Sequence, residues 1–368
     1  MSQTEIKTDA TWNSLLKEFR NFGGRANNIV QLRGEFGLGL FPADPSQPVE
    51  LRLPQKLLVP ADLVDLERGH IIIKNDSLFP KGYSEWFRRY QRLYSWGADG
   101  EISVRAFELG LIQLPGHILS LMEKQKLYNP KRISSNQNQQ KDLLRRFLMS
   151  RCIGQGGRLM IMPLIELVNH SAKAKNWQIG KDFGISIKGK YDSEIFVKYS
   201  HSDPIQRLLR FGFNSYEPMG FSLSLHLKHR NQKISVEGGG GRTWFQPPKI
   251  RTKNEIIIIQ EPLLGHENFP RLPKTLFLQA AEKIKGLNAT ELFEQIHKAN
   301  SLKLLKILRE LEGVAGVTAG QLRRGCLDQL VALSHHIGQR PEIASSVDRV
   351  SKPLNECLNQ SEPWENQQ

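Results

Sequence analysis

A chain of 368 residues can bury a substantial core but is too long for one ordinary domain, so two or three modules are expected. Its hydrophobic fraction of 39% and charged fraction of 24% exclude a disordered chain. Lysine and arginine number 51 against 37 acids, a net charge of +14 that favours acidic surfaces, yet no zinc-finger, basic-zipper or RNP-type motif points to a dedicated nucleic-acid binder. Three widely spaced cysteines, Cys152, Cys326 and Cys357, support neither a disulfide framework nor a zinc site.

The opening residues include Glu5 and Asp9 and lack an apolar run, so neither a secretory nor an arginine-rich transit leader is expected. No stretch approaches the length of a membrane span, and the expected address is the cytoplasm. Trp12, Leu15, Leu16 and Phe19 recur at i, i+3, i+4 and i+7, which predicts an amphipathic helix within residues 1–23, stopped by Gly23 and Gly24. Residues 24–60 change to short β-branched pieces, NIVQL, GLGLFPA, VELRL and KLLVP, broken by Gly, Pro and Asp, and read as strands and turns.

The helical period returns over residues 61–140, most clearly at Tyr83, Trp86, Phe87, Tyr90 and Leu93, and marks a helical insertion that closes on the polar linker SSNQNQQ. Residues 141–227 begin with the helix KDLLRRFLMSRC and add strand-like LMIMPLIELV, FGISIK, EIFVKY and FSLSLHL. Four glycines at 238–241 precede Arg242 and Thr243, where a phosphate loop would need Lys and Ser or Thr, so they read as a flexible loop. EIIIIQ is a short strand, buried or two-faced. TLFLQAAEKIKG, ATELFEQIHKA, SLKLLKILRELEG and TAGQLRRGCLDQLVALSHHIG then read as separate helices, each closed by Gly or Asn. Residues 228–340 therefore form a mainly helical C-terminal domain, and 341–368 a loosely ordered tail.

Four segments carry chemistry. Gly37 and Gly39, in EFGLGLFPA, let the backbone approach a ligand closely and leave its N–H and C=O groups available, although Gly-Leu-Gly alone is commonly an ordinary turn. Arg151, in SRC, has a fork that can hold a carboxylate, although a helix arginine alone is more commonly solvated. Asn169 and His170, in MPLIELVNHS, offer an amide and a ring at a strand end, with no second His or Cys at metal spacing. Tyr199 ends a strand and is followed by a polar turn and a helix that leads to Gly212-Phe213.

Together these segments resemble the SET domain, in its branch containing the Rubisco large-subunit lysine methyltransferase and the actin-histidine methyltransferases. The resemblance spans about residues 24–227 and, in pattern only, the helical region beyond. It implies an α+β fold: a β-rich SET domain of short sheets, split by a helical insertion and followed by an all-helical C-terminal domain that binds substrate. It also implies S-adenosyl-L-methionine as cofactor, held by Phe36, Gly37, Leu38, Gly39, Arg151, Asn169, His170 and Tyr199. Tyr199 would be the catalytic tyrosine, Gln155, Glu166 and Phe211 would line the substrate channel, and no metal would be required.

The implied activity is methyl transfer to a side-chain nitrogen of a protein, lysine in the first place. Transfer to histidine and a SET-like protein-binding module without turnover are the alternatives. Two positions depart from the lysine-methylating pattern: Phe211 stands where relatives have a second tyrosine, and Ser200 follows Tyr199 where they have glycine. The expected partner is a protein, with an acidic surface suggested by the net charge. Neither nucleic acid nor membrane is expected, and the sequence leaves the oligomeric state open.

Overall fold

Trp12, Leu15, Leu16 and Phe19 line one face of the first helix, Ala10–Asn21, and all are buried. The computed structural model describes residues 10–124, 127, 139–239, 246–282, 284 and 286–335. The tail, Cys357, most of the SSNQNQQ linker and the second half of the glycine run lie outside the described residues. The chain divides into two units, residues 1–109 with 131–199 and residues 110–130 with 200–368, and the division falls directly after Tyr199.

The first unit is assembled from two distant stretches of chain. Strand Val49–Leu53 pairs on one side with Arg25–Asn27 and on the other with Ile185–Gly189, in a register that sets Leu51 opposite Ile187 and Leu53 opposite Ile185. Val59 likewise opposes Ile161 in a three-stranded sheet with Cys152–Gln155. Alternate residues of Val49–Leu53 are buried, as period-two patterning requires. Helix Tyr83–Tyr94 lies in the same core, where Trp86 stacks on Phe19 at 5.4 Å and on Tyr90 at 5.5 Å. The polar edges of these aromatics are satisfied: Trp86 Nε1 donates to Leu15 O at 2.9 Å and Tyr83 Oη to Leu57 O at 2.5 Å.

The helical reading of the insertion missed one hairpin. Val64–Glu67 pairs antiparallel with His70–Ile73 around Arg68 and Gly69, both at positive φ. Two left-handed residues form the tight turn that matches strand twist, and Gly69 makes it affordable. The strands are only four residues long, too short for their alternation to stand out against the helical signal that follows.

The second unit holds a four-stranded sheet in the order Leu225–His229, Gln232–Glu237, Ile256–Gln260, Lys249–Lys253. The expected helices follow at Leu272–Ala281, Ala289–Glu310 and Val317–Ser334. Among the described residues, the all-helical description of the C-terminal region thus holds from Leu272 to Ser334, and the sheet precedes it. EIIIIQ is two-faced, with Ile257 and Ile259 buried and Ile256 and Ile258 half-buried. Asn300 does not end a helix as expected: one continuous helix runs through it, and its Oδ1 accepts from Leu223 N at 2.8 Å. The amide that would compete for local backbone groups is spent on a neighbouring strand end.

Asp203 caps helix Pro204–Phe211, its Oδ1 accepting from Gln206 N at 2.8 Å. Burial raises its carboxyl to about 7, against the lowering effect of those backbone N–H groups. A carboxyl raised in the folded state binds a proton that the unfolded chain has released, so stability falls as pH rises from 3.8 to about 7. Asp203→Asn keeps a capping oxygen and has no carboxyl to titrate. Relative to the parent it is expected to gain stability across that window, read as urea midpoints at about pH 5 and about pH 8.

Among the described residues no helix is long and apolar enough to cross a membrane, and no group of three or more His, Cys, Asp or Glu side chains is placed to hold a metal ion.

Candidate functional site

The glycine segment forms the second strand of a hairpin, Ile29–Gly34 paired with Gly37–Pro42, with Gly34 opposite Gly37 and Leu32 opposite Gly39. Gly37 takes φ +91, the left-handed region in which a side chain would be strained. Gln31 Nε2 donates to Tyr94 O at 2.8 Å, and Arg33 forms an ion pair with Asp99 at 3.2 Å. These contacts fix the hairpin against the end of helix Tyr83–Tyr94. Phe36, 54% exposed at the turn, meets Phe196 edge to face at 5.8 Å.

MPLIELVNHS folds as a short 3-10 turn, Ile165–Leu167, entered through Leu164 at φ +67. That sparsely populated backbone conformation, with ψ −44, costs a β-carbon residue about 1–3 kcal/mol. It is held by complete burial of the Leu164 side chain and by Leu164 N donating to Tyr90 Oη at 3.1 Å. The turn drives Glu166 inward, where Oε1 accepts from Tyr90 Oη at 2.8 Å, Gln91 Nε2 at 2.7 Å and Ser95 Oγ at 3.0 Å. Burial raises the Glu166 carboxyl above its ordinary value, opposed by Arg151 and the three donors.

Asn169–His170 leaves the turn as a two-residue strand parallel to Phe196–Val197. Asn169 Nδ2 donates to Leu38 O at 3.2 Å and to Glu194 Oε1 at 2.6 Å, which ties the strand to the glycine hairpin. Tyr199 N donates to His170 Nδ1 at 3.1 Å, so the ring accepts at Nδ1 and, when neutral, carries its proton on Nε2. Tyr199 Oη donates to Val168 O at 2.6 Å, and its ring stacks on Trp177 at 6.1 Å. With its hydrogen committed to Val168, the phenol oxygen offers only lone pairs to anything else.

Arg151 sits at the C-terminal end of helix Gln139–Arg151, over the Phe147 ring at 4.9 Å. Its Nη1 donates to Glu166 O at 3.1 Å, which uses one of the five donors a guanidinium carries. The fork is thereby oriented beside the turn and retains donors for an anion.

The structure thus brings Gly37, Leu38, Gly39, Asn169, His170 and Tyr199 into one hydrogen-bonded assembly, with Phe36 touching it through Phe196. Arg151 joins it through the turn. Glu166, which the resemblance places with the channel, is buried among side chains of helix Tyr83–Tyr94 and of the residue after it, and supports the turn. Gln155 lies in the hairpin Cys152–Gln155/Arg158–Ile161, where Nε2 donates to Phe183 O at 3.1 Å, which makes it a tie between loops. Phe211 belongs to the second unit, where the guanidinium of Arg207 lies over its ring at 4.9 Å.

Sequence reasoning missed Glu194 and Trp177. Glu194 is buried, and desolvation raises its carboxyl, opposed by the Asn169 hydrogen bond and assisted by the nearby charge of Glu35. Its available signal was its position five residues before Tyr199 in a strand-like run, where an acid next to Ile195 is unusual. A β-carbon at Gly39 would stand 2.2 Å from Glu194 Oε1 and 2.8 Å from Asn169 Nδ2, so only glycine permits this junction. Gly39→Ala is expected to displace the carboxylate and cost about 1–3 kcal/mol in urea unfolding. Adding Glu194→Ala, which removes the clashing carboxylate, should recover part of that loss.

No family model matches the chain, and no curated protein matches it. Among solved structures, the chain is similar to the SET domain of LSMT bound to lysine and AdoHcy, at 14% identity over 95% of this chain and 95% of that one, with a TM-score of 0.39. It is similar to Rubisco LSMT bound to AdoMet at 13% identity over 95% of this chain and 94% of that one, with a TM-score of 0.40. Likenesses of this size carry no argument.

Proposed function

We propose that the first unit binds S-adenosyl-L-methionine and that the protein transfers a methyl group to a side-chain nitrogen of a protein substrate. The observation that carries the reading is the junction at Asn169, whose amide joins the carbonyl of Leu38 in the glycine hairpin to a strand pair that also presents His170 and Tyr199.

The residues present fit the ligand. Arg151 has donors to spare for an amino-acid carboxylate. Leu38 O and the buried Glu194 carboxylate suit an ammonium group, and the edge of Asn169 and His170, with the exposed ring of Phe36, suits a purine. When bound, S-adenosylmethionine supplies a methyl group activated by a sulfonium.

The chain's own contribution is orientation and charge. Tyr199, fixed by Val168 O, Trp177 and the backbone bond to His170, presents phenol lone pairs that would accept from the attacking amine and favour positive charge developing on it. A half-buried setting disfavours a protonated amine and leaves its lone pair available. Lysine is the proposed acceptor. Histidine is the alternative, because Phe211 stands where the resembled lysine methyltransferases have a hydroxyl. Gln155 and Phe211 belong to the proposal through the resemblance alone.

Isothermal titration of the protein with S-adenosylmethionine tests the binding half: saturable heat is expected, and Arg151→Ala should weaken affinity by roughly 10- to 100-fold, the loss of a charge-assisted pair at about 1.5–3 kcal/mol. Radiolabelled cofactor with a cell lysate tests the transfer half. Saturable binding without label transfer would leave a binding module, and absence of binding would remove the proposal.

A further inference from the structure

The four-stranded sheet of the second unit has a buried face and an exposed one. Leu225, His229, Ile234, Val236, Ile257 and Ile259 are buried. The opposite face is set by register: Lys228 opposes Lys233, Lys233 opposes Ile256, and Ile256 opposes Lys253, so these four side chains cross the sheet in one row. The next row runs His226, Ser235, Ile258 and Arg251, and Lys249 follows, opposite Gln260. Lys228, Lys233, Lys249, Arg251 and Lys253 are all exposed.

The acids do not balance this face. Glu237 is the acid facing the same way, at 3.8 Å from Arg251 with both side chains largely in water, and such a contact is worth little. Glu255 is exposed in the turn that joins the last two strands. Within the rows, Ile256 and Ile258 form a half-buried apolar strip two residues apart, about 7 Å along the strand, flanked by cations on both sides. A row of four strands is about 14 Å wide, enough to seat one extended chain with its side chains.

We propose that this face docks an acidic segment of a partner protein, with apolar side chains seated on Ile256 and Ile258 and carboxylates against Lys228, Lys233, Lys249, Arg251 and Lys253. Charge selects an acidic partner, and the apolar strip selects among acidic partners. A single-stranded nucleic acid shares the charge but gains affinity by stacking bases on a run of aromatic rings, and among the described residues of this face the imidazole of His226 is the one such ring. The surface goes beyond the methyl-transfer reading and stands whether or not that reading survives.

The test is fluorescence anisotropy with a labelled peptide of about a dozen residues, rich in glutamate and carrying two leucines two positions apart. Wild-type protein is expected to bind it with an affinity that falls with salt. Replacing Lys228, Lys233, Lys249 and Lys253 with Gln together should weaken binding by roughly tenfold or more, each long-range pair contributing a fraction of a kcal/mol. Ile256→Thr with Ile258→Thr keeps β-branched residues in the strand and should weaken binding by roughly threefold or more without changing the salt slope. Replacing Lys181, Lys188 and Lys190 with Gln, in the first unit, should leave it unchanged.

Circular dichroism identifies variants that keep their fold. The proposal is overturned if a folded lysine variant binds as wild type does, or if the control variant loses as much as the sheet variant. It is also overturned if wild type fails to bind at low salt, or if a single-stranded oligonucleotide of equal charge displaces the peptide at lower concentration, which would assign the face to nucleic acid.

Discussion

Glu217→Leu is expected to lower stability by about 3–5 kcal/mol, because it strands a guanidinium in the interior of the second unit. Arg207 and Glu217 have no exposed side-chain surface, and Arg207 meets Glu217 Oε1 through Nε at 3.2 Å and through Nη2 at 3.1 Å. Nη2 also donates to Ser200 O at 2.8 Å, and Glu217 accepts from Ser215 Oγ at 3.1 Å. The two charges offset each other's desolvation, so neither can be lost alone without a heavy penalty. Losing both is different: Arg207→Met with Glu217→Leu removes the desolvation cost together with the attraction and should return most of the stability. Urea midpoints of the two single variants and the double variant give the coupling directly. A single-variant loss below about 1 kcal/mol would show that the pair is not held as the geometry implies.

Tyr199→Phe is expected to cut methyl-transfer turnover by roughly 100- to 1000-fold, the usual consequence of removing one oriented group from a developing charge. S-adenosylmethionine affinity should stay within about threefold, because Tyr199 N still donates to His170 and the ring still stacks on Trp177. Losing the bond from Oη to Val168 O should cost about 1 kcal/mol of stability. The split between turnover and binding is the informative part: a structural tyrosine would move stability and affinity together, and unchanged turnover would remove Tyr199 from the reaction.

The local backbone shape around Gly37 and Asn169 was legible in the sequence. Glycines at 37 and 39, and Asn169-His170 after a proline and a buried turn, are demands on backbone shape and local polarity, and such demands are written in consecutive residues. Helix Ala10–Asn21 was equally legible, since its four apolar residues form one face and Gly23 at φ +96 stops it. The hairpin at Val64–Glu67 was not, because four residues are too few to establish a period.

Glu166, which the resemblance places with the channel, lies within the run LMIMPLIELV; the positive φ of Leu164 turns it inward to three donors, two on helix Tyr83–Tyr94 and the third on Ser95 just beyond it. Asn300 misleads as a helix breaker whose amide is occupied by Leu223 N from 77 residues away.

By itself, the amino-acid sequence determined the mixture of short strands and helices, the first helix, the turn at Gly37 and most of the C-terminal helices, because periodicity and turn chemistry act over a few neighbouring residues. Only the tertiary structure decided that Leu38, Asn169 and Glu194 meet, that Glu166 is internal and that lysines from three strands share one face with Ile256 and Ile258. Those outcomes depend on pairing register and burial between residues far apart in the chain, which no local pattern encodes.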